Sequence, residues 1–587
     1  MLTVRLLGRP RLEREGVPIP GPRGHKSWAL LARLVRSPQP VTRQSLVDEL
    51  FSQADDPMGA LRWSLAELRR RLGTPDAFHG NPLTGDLGPG IEVDVTVASH
   101  GRFTGLPPEG RLLEGVDVRD SASFETWLLV ERERVDAEVC GGIREAIIRA
   151  MSGGDAERAI DLARVLVARD PLSEGPHVLL ISALSAAGRH DAASQQAESA
   201  TAMLRRELGI APSSALRDAA TPPPQPLPAG VSPRATSAAL RASGLAALSA
   251  GVPASGIDRL RSAAAAAAEA DDATLLAECL LELGTALVHA VHRHDDEGAV
   301  VLGSAVAVAM DAGHDAVASR ALAELGYVDV LSGRRVTAGL HLEWAREIAG
   351  DDRGLLATVA SIEATDLHDR GRLAEAAERF GAAIDHARAA GKVRREAWSL
   401  GVGGRTLYGL GDYAGAQRWL DQSLAIIDAE HWNAFRPCVE SWRAHVNLAL
   451  GRDPRGVREE LESTFATACE LSDACWQGLA AKAMALACHA ELDRAGAQWW
   501  LATAARACAR ETDAHVWVRA DVALAAARMA MDWGDLTMAR EQAETLQAVA
   551  VRYGMDGMLD AATALLDEIA PDRAPAFSGA GAGAARR

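Results

Sequence analysis

One helix, with an apolar back and an arginine-crowded front between clean start and stop signals, constrains this chain more than any other stretch. It is written DPMGALRWSLAELRRRLG over residues 56–73. Asp56 is a good N-cap, and Pro57 suits the first helical position. Gly73 suits the position past the last turn, where a left-handed backbone is needed. Leu61, Leu65, Leu68 and Leu72 fall on one stripe at helical spacing. The other side carries Arg62, Trp63, Ala66, Glu67 and Arg70, with Arg69 and Arg71 flanking the stripe. A short helix of this kind is what a reader of the DNA major groove needs.

Charge agrees with that reading. Residues 1–75 hold 13 basic against 7 acidic side chains, a balance of +6, whereas the whole chain carries −17, so the remainder carries −23. A basic head on an acidic body places contact with a polyanion at the N-terminus and leaves the body to proteins or small molecules. The 587 residues, 48% of them apolar, suffice for three or four domains. Seven cysteines without regular spacing read as reduced thiols. No apolar run approaches the roughly 18 residues of a membrane span. The expectation is a cytoplasmic protein without membrane contact, nucleoid-associated when bound to DNA.

Around the arginine helix the chain alternates as short strands over residues 2–20. Helical patterns follow at about Arg23–Val35 and, after the cap Thr42, at about Arg43–Phe51. Beyond it, Gly85, Gly88, Pro89 and Gly90 punctuate Leu83–Val97, which reads as a hairpin. Strands, three helices and a hairpin make a winged helix-turn-helix. From Ser121 the pattern is helical throughout. GDAERA at 154–159 and GRHDAA at 188–193 lie 34 residues apart, the tetratricopeptide period. Six prolines in residues 221–233 mark a stiff linker. Turn-like sites then recur at Gly251, His292, Gly333, Gly371, Gly411, Gly451, Leu492 and Gly534, 38 to 42 residues apart. That period describes an α-solenoid of two helices per unit. The fold expected is mainly α. It comprises a winged helix-turn-helix (α+β) over 1–100, a tetratricopeptide-like helical domain over 101–220, a proline-rich linker over 221–235, an α-solenoid of about eight repeats over 236–572, and a disordered tail over 573–587.

With the helix order, the LRRRL run at 68–72 and the segment ELGIAPSSAL at 207–216, the first 220 residues resemble the SARP-type regulators. These pair an OmpR-like winged helix with a bacterial transcriptional activator domain. The resemblance implies a transcriptional activator, without enzymatic activity or cofactor, that binds a direct-repeat operator as two copies and recruits RNA polymerase. It implies DNA contact by Arg62, Trp63, Ala66, Glu67, Arg69 and Arg70, and a loop facing the polymerase made of Ser52, Gln53, Ala54, Asp55 and Asp56. It also implies a hairpin at Leu83–Val97 approaching the minor groove. Two features depart from the family. Glu67 stands where an arginine is usual, and the presumed wing contains no Arg or Lys. No GxxxxGK[ST] nucleotide loop occurs in the chain.

A reading of another class is an interaction scaffold, with a degenerate winged helix and a solenoid that holds protein partners. In the activator reading the solenoid senses an unidentified effector or protein. His289, His292, His294, Asp295 and Asp296 suit either a divalent ion or, more simply, a polar turn between helices. Ten of the thirteen tryptophans lie between Trp344 and Trp533, where they either line a concave face or fill gaps between alanine-rich helices, the second being the plainer expectation. No catalytic motif occurs.

Overall fold

The computed structural model describes residues 1–569 except 38, 104, 119–120, 210–214, 221–230, 250–251, 290–294, 472 and 510–515. Most of the proline-rich linker and the whole of the expected tail lie outside the described residues. The chain divides into two compact units. One is Met1–Glu363 with two short later segments, and the other holds Ala364–Ile384, Lys392–Glu511 and the residues from 515 onward.

The first unit opens with a sheet of β1 (Leu2–Arg5), β2 (Arg11–Arg14), β3 (Val17–Ile19) and β4 (Ile91–Val93) in the order β3-β2-β1-β4. β1 runs antiparallel to β2, with Leu2 opposite Arg14, and parallel to β4, with Leu2 beside Ile91. Between β3 and β4 come α1 (His25–Val35), α2 (Arg43–Leu50) and α3 (Pro57–Leu72). Leu61, Leu65, Leu68 and Leu72 of α3 are buried in one core with Trp28, Leu31 and Leu46.

The expected hairpin at Leu83–Val97 does not form. Leu83 makes an isolated bridge to Val41, and the rest of the segment supplies β4 and then α4 (Asp94–Ser99). The buried carboxylate of Asp94 decides the course of this chain. It accepts hydrogen bonds from the backbone N–H groups of Leu6 (2.8 Å), Leu7 (3.1 Å) and Val95 (2.8 Å), which ties the start of α4 to the end of β1. The glycines that suggested a hairpin turn instead bring the strand back to β1.

The 31-residue α5 (Ala122–Ser152) begins the helical part, followed by α6 (Ala156–Arg169), α7 (Glu174–Ala186), α8 (His190–Leu208) and the short α9 (Ala215–Ala219). Gly154 and Gly188, with φ of 75° and 72°, make the turns whose spacing gave the repeat. α4 meets α5 at Gly142, where a Cβ would stand 1.9 Å from the carbonyl oxygen of Ala98, so only glycine permits the approach. Arg36, just past α1, reaches across to α5 and pairs with Glu131 (2.6 Å) and Glu138 (2.8 Å). These contacts fix the N-terminal head on α5.

Beyond the linker the array α10–α26 runs from Pro233–Ser249 to Asp556–Ile569. Gly333, Gly371, Gly411, Gly451 and Gly534 all turn at φ of 70–79°, and Leu492 turns at 61° without being glycine. The sites at 251 and 292 lie outside the described residues. In the first unit, α13 (Asp295–Asp311), α14 (Asp315–Leu331) and α15 (Arg335–Ala349) bring charged side chains to α5. There the buried Arg144 pairs with Asp296 and with Asp329 (3.2 Å). In the second unit, the turn at Gly371 touches the start of α26. A Cβ on Gly371 would stand 2.7 Å from the Cα of Gly557, and one on Gly557 would stand 2.8 Å from the Cα of Gly371. Among the described residues no helix is long and apolar enough to cross a membrane.

Candidate nucleic-acid interface

α3 is built as its sequence dictates. The Asp56 side chain accepts from the Gly59 N–H (2.8 Å), Pro57 occupies the first turn, and Gly73 ends the helix at φ 74°. Together these satisfy an orphan donor at one end and permit the left-handed exit at the other. α2 is capped in the same way by Thr42, whose hydroxyl accepts from the Ser45 N–H. With the leucine stripe buried, the outward face of α3 carries Arg62, Trp63, Ala66 and Arg70, and Trp63 stands 57% exposed. Arg62 stays near Asp56 at 3.6 Å, with both side chains open to solvent. Met58 is exposed one turn before Arg62. It escaped the sequence reading, although an apolar residue in the first turn of such a helix is well placed to meet a base.

Two residues expected on that face are elsewhere. Glu67 is buried, its side chain 5% exposed, and it is clasped by Arg70 and by Arg71 at 2.9 Å. Hydrogen bonds from those two guanidinium groups hold its carboxyl down at about 2. The physical reason is spacing. Arginines three and four residues later lie over the same side of the helix and neutralise the acid before it can meet a phosphate. The signal was legible in the sequence, since Glu67, Arg70 and Arg71 stand at i, i+3 and i+4. Arg69 turns inward and donates to the carbonyl oxygens of Ala77 (2.7 Å) and Phe78 (2.6 Å), stapling the segment after α3 to the helix. The exposed positive groups of the face are therefore Arg62 and Arg70.

The loop between α2 and α3 presents Ser52, Gln53, Asp55 and Asp56 to solvent, with Ala54 half-buried. In the absence of a wing, the neighbouring 83–97 segment offers acidic groups: Asp86 is exposed and accepts from the Gly88 N–H (2.8 Å).

Of the histidine cluster, His292 and His294 lie outside the described residues. His289 hydrogen-bonds Glu324 (2.7 Å) and stacks on Tyr327, and Asp296 pairs with Arg144. The late tryptophans divide. Trp344 and Trp499 are exposed, whereas Trp442 and Trp517 are buried among helices of the second unit.

Comparison with known proteins adds to this geometry. Residues 109–221 match the family profile of the bacterial transcriptional activator domain. No curated protein sequence matches the chain. Among solved structures, EmbR of Mycobacterium tuberculosis, determined with a low affinity phosphopeptide, is similar at 22% identity and a TM-score of 0.28; the match covers 37% of this chain and 64% of that one. The chain thus spans less than two thirds of that protein's length. Aspartyl phosphate phosphatase F from Bacillus subtilis is similar at 13% identity and a TM-score of 0.34, over 70% of this chain and 95% of that one. Yeast Tom70 is similar at 12% identity and a TM-score of 0.28, over 77% and 93%. Between a head of one sheet and three helices and a long helical repeat array, residues 109–221 are thus similar to the bacterial transcriptional activator domain.

Proposed function

We propose that the protein is a DNA-binding transcriptional activator whose α3 enters the major groove of a direct-repeat operator. The observation that carries this reading is the outward face of α3, where Arg62, Trp63, Ala66 and Arg70 project together from a capped helix held on a leucine core. Arg62 and Arg70 supply phosphate or guanine contacts, and Trp63 packs on thymine methyls. Glu67 and Arg69 act at one remove. Glu67 fixes the directions of Arg70 and Arg71, and Arg69 holds the following segment. In this reading Ser52, Gln53, Ala54, Asp55 and Asp56 face RNA polymerase, two copies sit side by side on DNA, and the repeat array conveys a signal through α5.

The test is selection of bound genomic fragments by the full chain, followed by a salt titration. A direct repeat is expected in the bound pool. Replacing Arg62 and Arg70 by alanine should lower the slope of log affinity against log salt by about 0.9 for each phosphate no longer neutralised. The missing hairpin, and the lack of Arg or Lys in 83–97, favour the scaffold alternative. Failure to retain any DNA at low salt would decide for it.

A further inference from the structure

The second unit holds a group of buried charged and aromatic side chains that the DNA reading does not use. They lie on alternate helices of the array: Arg405 and Tyr408 on α18 (Val393–Gly409), Trp442 and His445 on α20 (Arg436–Ala449), Lys482 on α22 (Ala474–Ala490), and Trp517 and Asp521 on α24 (Val516–Asp532). The winding of the array brings α18 against α24, three repeats on. The Arg405 guanidinium lies 4.2 Å over the Trp517 ring, the Lys482 ammonium lies 4.6 Å over the Trp442 ring, and the two indoles stack with centroids 6.3 Å apart. His445 closes the group, 4.7 Å from Trp442 and 6.0 Å from Tyr408.

The polar atoms here are under-used. Arg405 pairs with Asp369 (2.7 Å), and Lys482 with Asp521. Arg405 Nε nevertheless has no partner, although its side chain is 4% exposed. Neither ring nitrogen of His445 has one, and that residue is 2% exposed. Buried polar groups are almost always hydrogen-bonded, because leaving them unmade forfeits their hydration. If the role were packing alone, leucine or methionine would fill the space without that penalty. The array shows such packing elsewhere, as where Ala485, Ala497 and Leu501 meet. Burial, with Lys482 beside it, pushes the His445 imidazole well below its ordinary value, so the ring stays neutral and offers one donor and one acceptor. Arg405 offers an N–H, and Lys482 keeps N–H groups beyond its bond to Asp521. The surplus is in donors, and the walls are indole and phenol faces.

We infer that Arg405, His445 and Lys482, walled by Trp442, Trp517 and Tyr408, form a binding site for a small organic anion with a planar apolar body. The carboxylate of such a ligand would accept from Arg405 Nε and from His445, and its ring would lie against the tryptophan faces. The site gives chemical content to the sensing role proposed above. Its test involves no DNA, so either reading can fail without the other.

The experiment is isothermal titration of the full chain with indole-3-carboxylate and benzoate, with indole-3-carboxamide as the neutral control, beside thermal unfolding of each variant. The carboxylates should bind at millimolar concentration or below, at least about tenfold more tightly than the amide. His445→Phe should reduce that binding by about tenfold or more while leaving the thermal midpoint of the unliganded protein unchanged or higher, because it removes buried atoms that have no partner. Arg405→Gln should weaken binding as well. The inference is overturned if neither carboxylate binds the wild-type chain, if the amide binds equally well, or if His445→Phe binds as before. A lower midpoint for His445→Phe would also overturn it, by making His445 part of the core.

Discussion

Two buried ionic centres, one in each unit, are put together differently. In the first, Arg144 of α5 meets Asp296 and Asp329, Arg334 meets Asp329 at 2.7 Å, and His341 lies between Asp329 (3.0 Å) and Glu145 (3.4 Å). Three atoms there lack partners, Arg144 Nη2, Arg334 Nη2 and Glu145 Oε2, but each belongs to a group already paired through another atom. In the second, the His445 ring has no partner at either nitrogen. Burial opposes the charge on both histidines. At His341 it is outweighed by Glu145 and Asp329, which lift the imidazole to about 10, whereas at His445 nothing acidic compensates. The contrast teaches how polar groups are used in an interior. A charge that has a partner joins elements; a neutral polar ring with none is available to something else.

The largest expected effect comes from removing the hub of the first centre. Arg144→Met takes the guanidinium away from Asp296 and leaves Asp329 to Arg334 and His341, and should cost about 3–5 kcal/mol. Hydrogen exchange should show early loss of protection in α5 and α13, and unchanged protection there would mean that the centre does not join them. Next comes Gly142→Ala. Its Cβ has nowhere to go against the Ala98 carbonyl, and separation of α4 from α5 should cost about 1–3 kcal/mol, read by denaturant midpoint.

The two histidines should give stability opposite dependence on pH. The folded-state value of His341 is raised, so its contribution is present in full below about 6.5 and fades as pH rises towards about 10. The folded-state value of His445 is depressed, so stability falls as pH drops below about 6.5, where only the unfolded chain takes up the proton. Unfolding of His341→Gln should lose the alkaline dependence, and that of His445→Phe part of the acid one. Finding the same slope in both variants would erase the distinction between the centres. The smallest effect on stability, within about 0.5 kcal/mol, is expected for Arg62→Ala on the exposed face of α3, where the proposed function predicts that DNA affinity falls instead.

What could be read from the sequence follows from how far each cause acts along the chain. The caps of α3, its leucine stripe and the 34- and 40-residue periods are local, and among the described residues they stand in the structure where the sequence puts them. Asp94 holding the N–H groups of Leu6 and Leu7 is a contact across nearly ninety positions, and nothing near Gly85–Gly90 announces it, so those glycines read as a hairpin. Arg69 looked like its neighbours because its acceptors are backbone carbonyls set by the path of the following loop. The approach of Arg405 to Trp517 is still less legible. It results from small rotations summed over three repeats, and no periodicity states their total.

Open repeat arrays are tolerant of length, since units can be added or removed at either end while every remaining unit keeps its neighbours. The second unit has given up that freedom. Its turn at Gly371 and its helix α26 at Gly557 meet backbone to backbone, so the rotation accumulated between them must come to one particular sum. Duplication or deletion of a single repeat inside this span would carry the two glycines past each other and open the seam. The number of repeats between residues 371 and 557 is thus a dimension of the molecule, set by closure as the number of staves is set in a barrel.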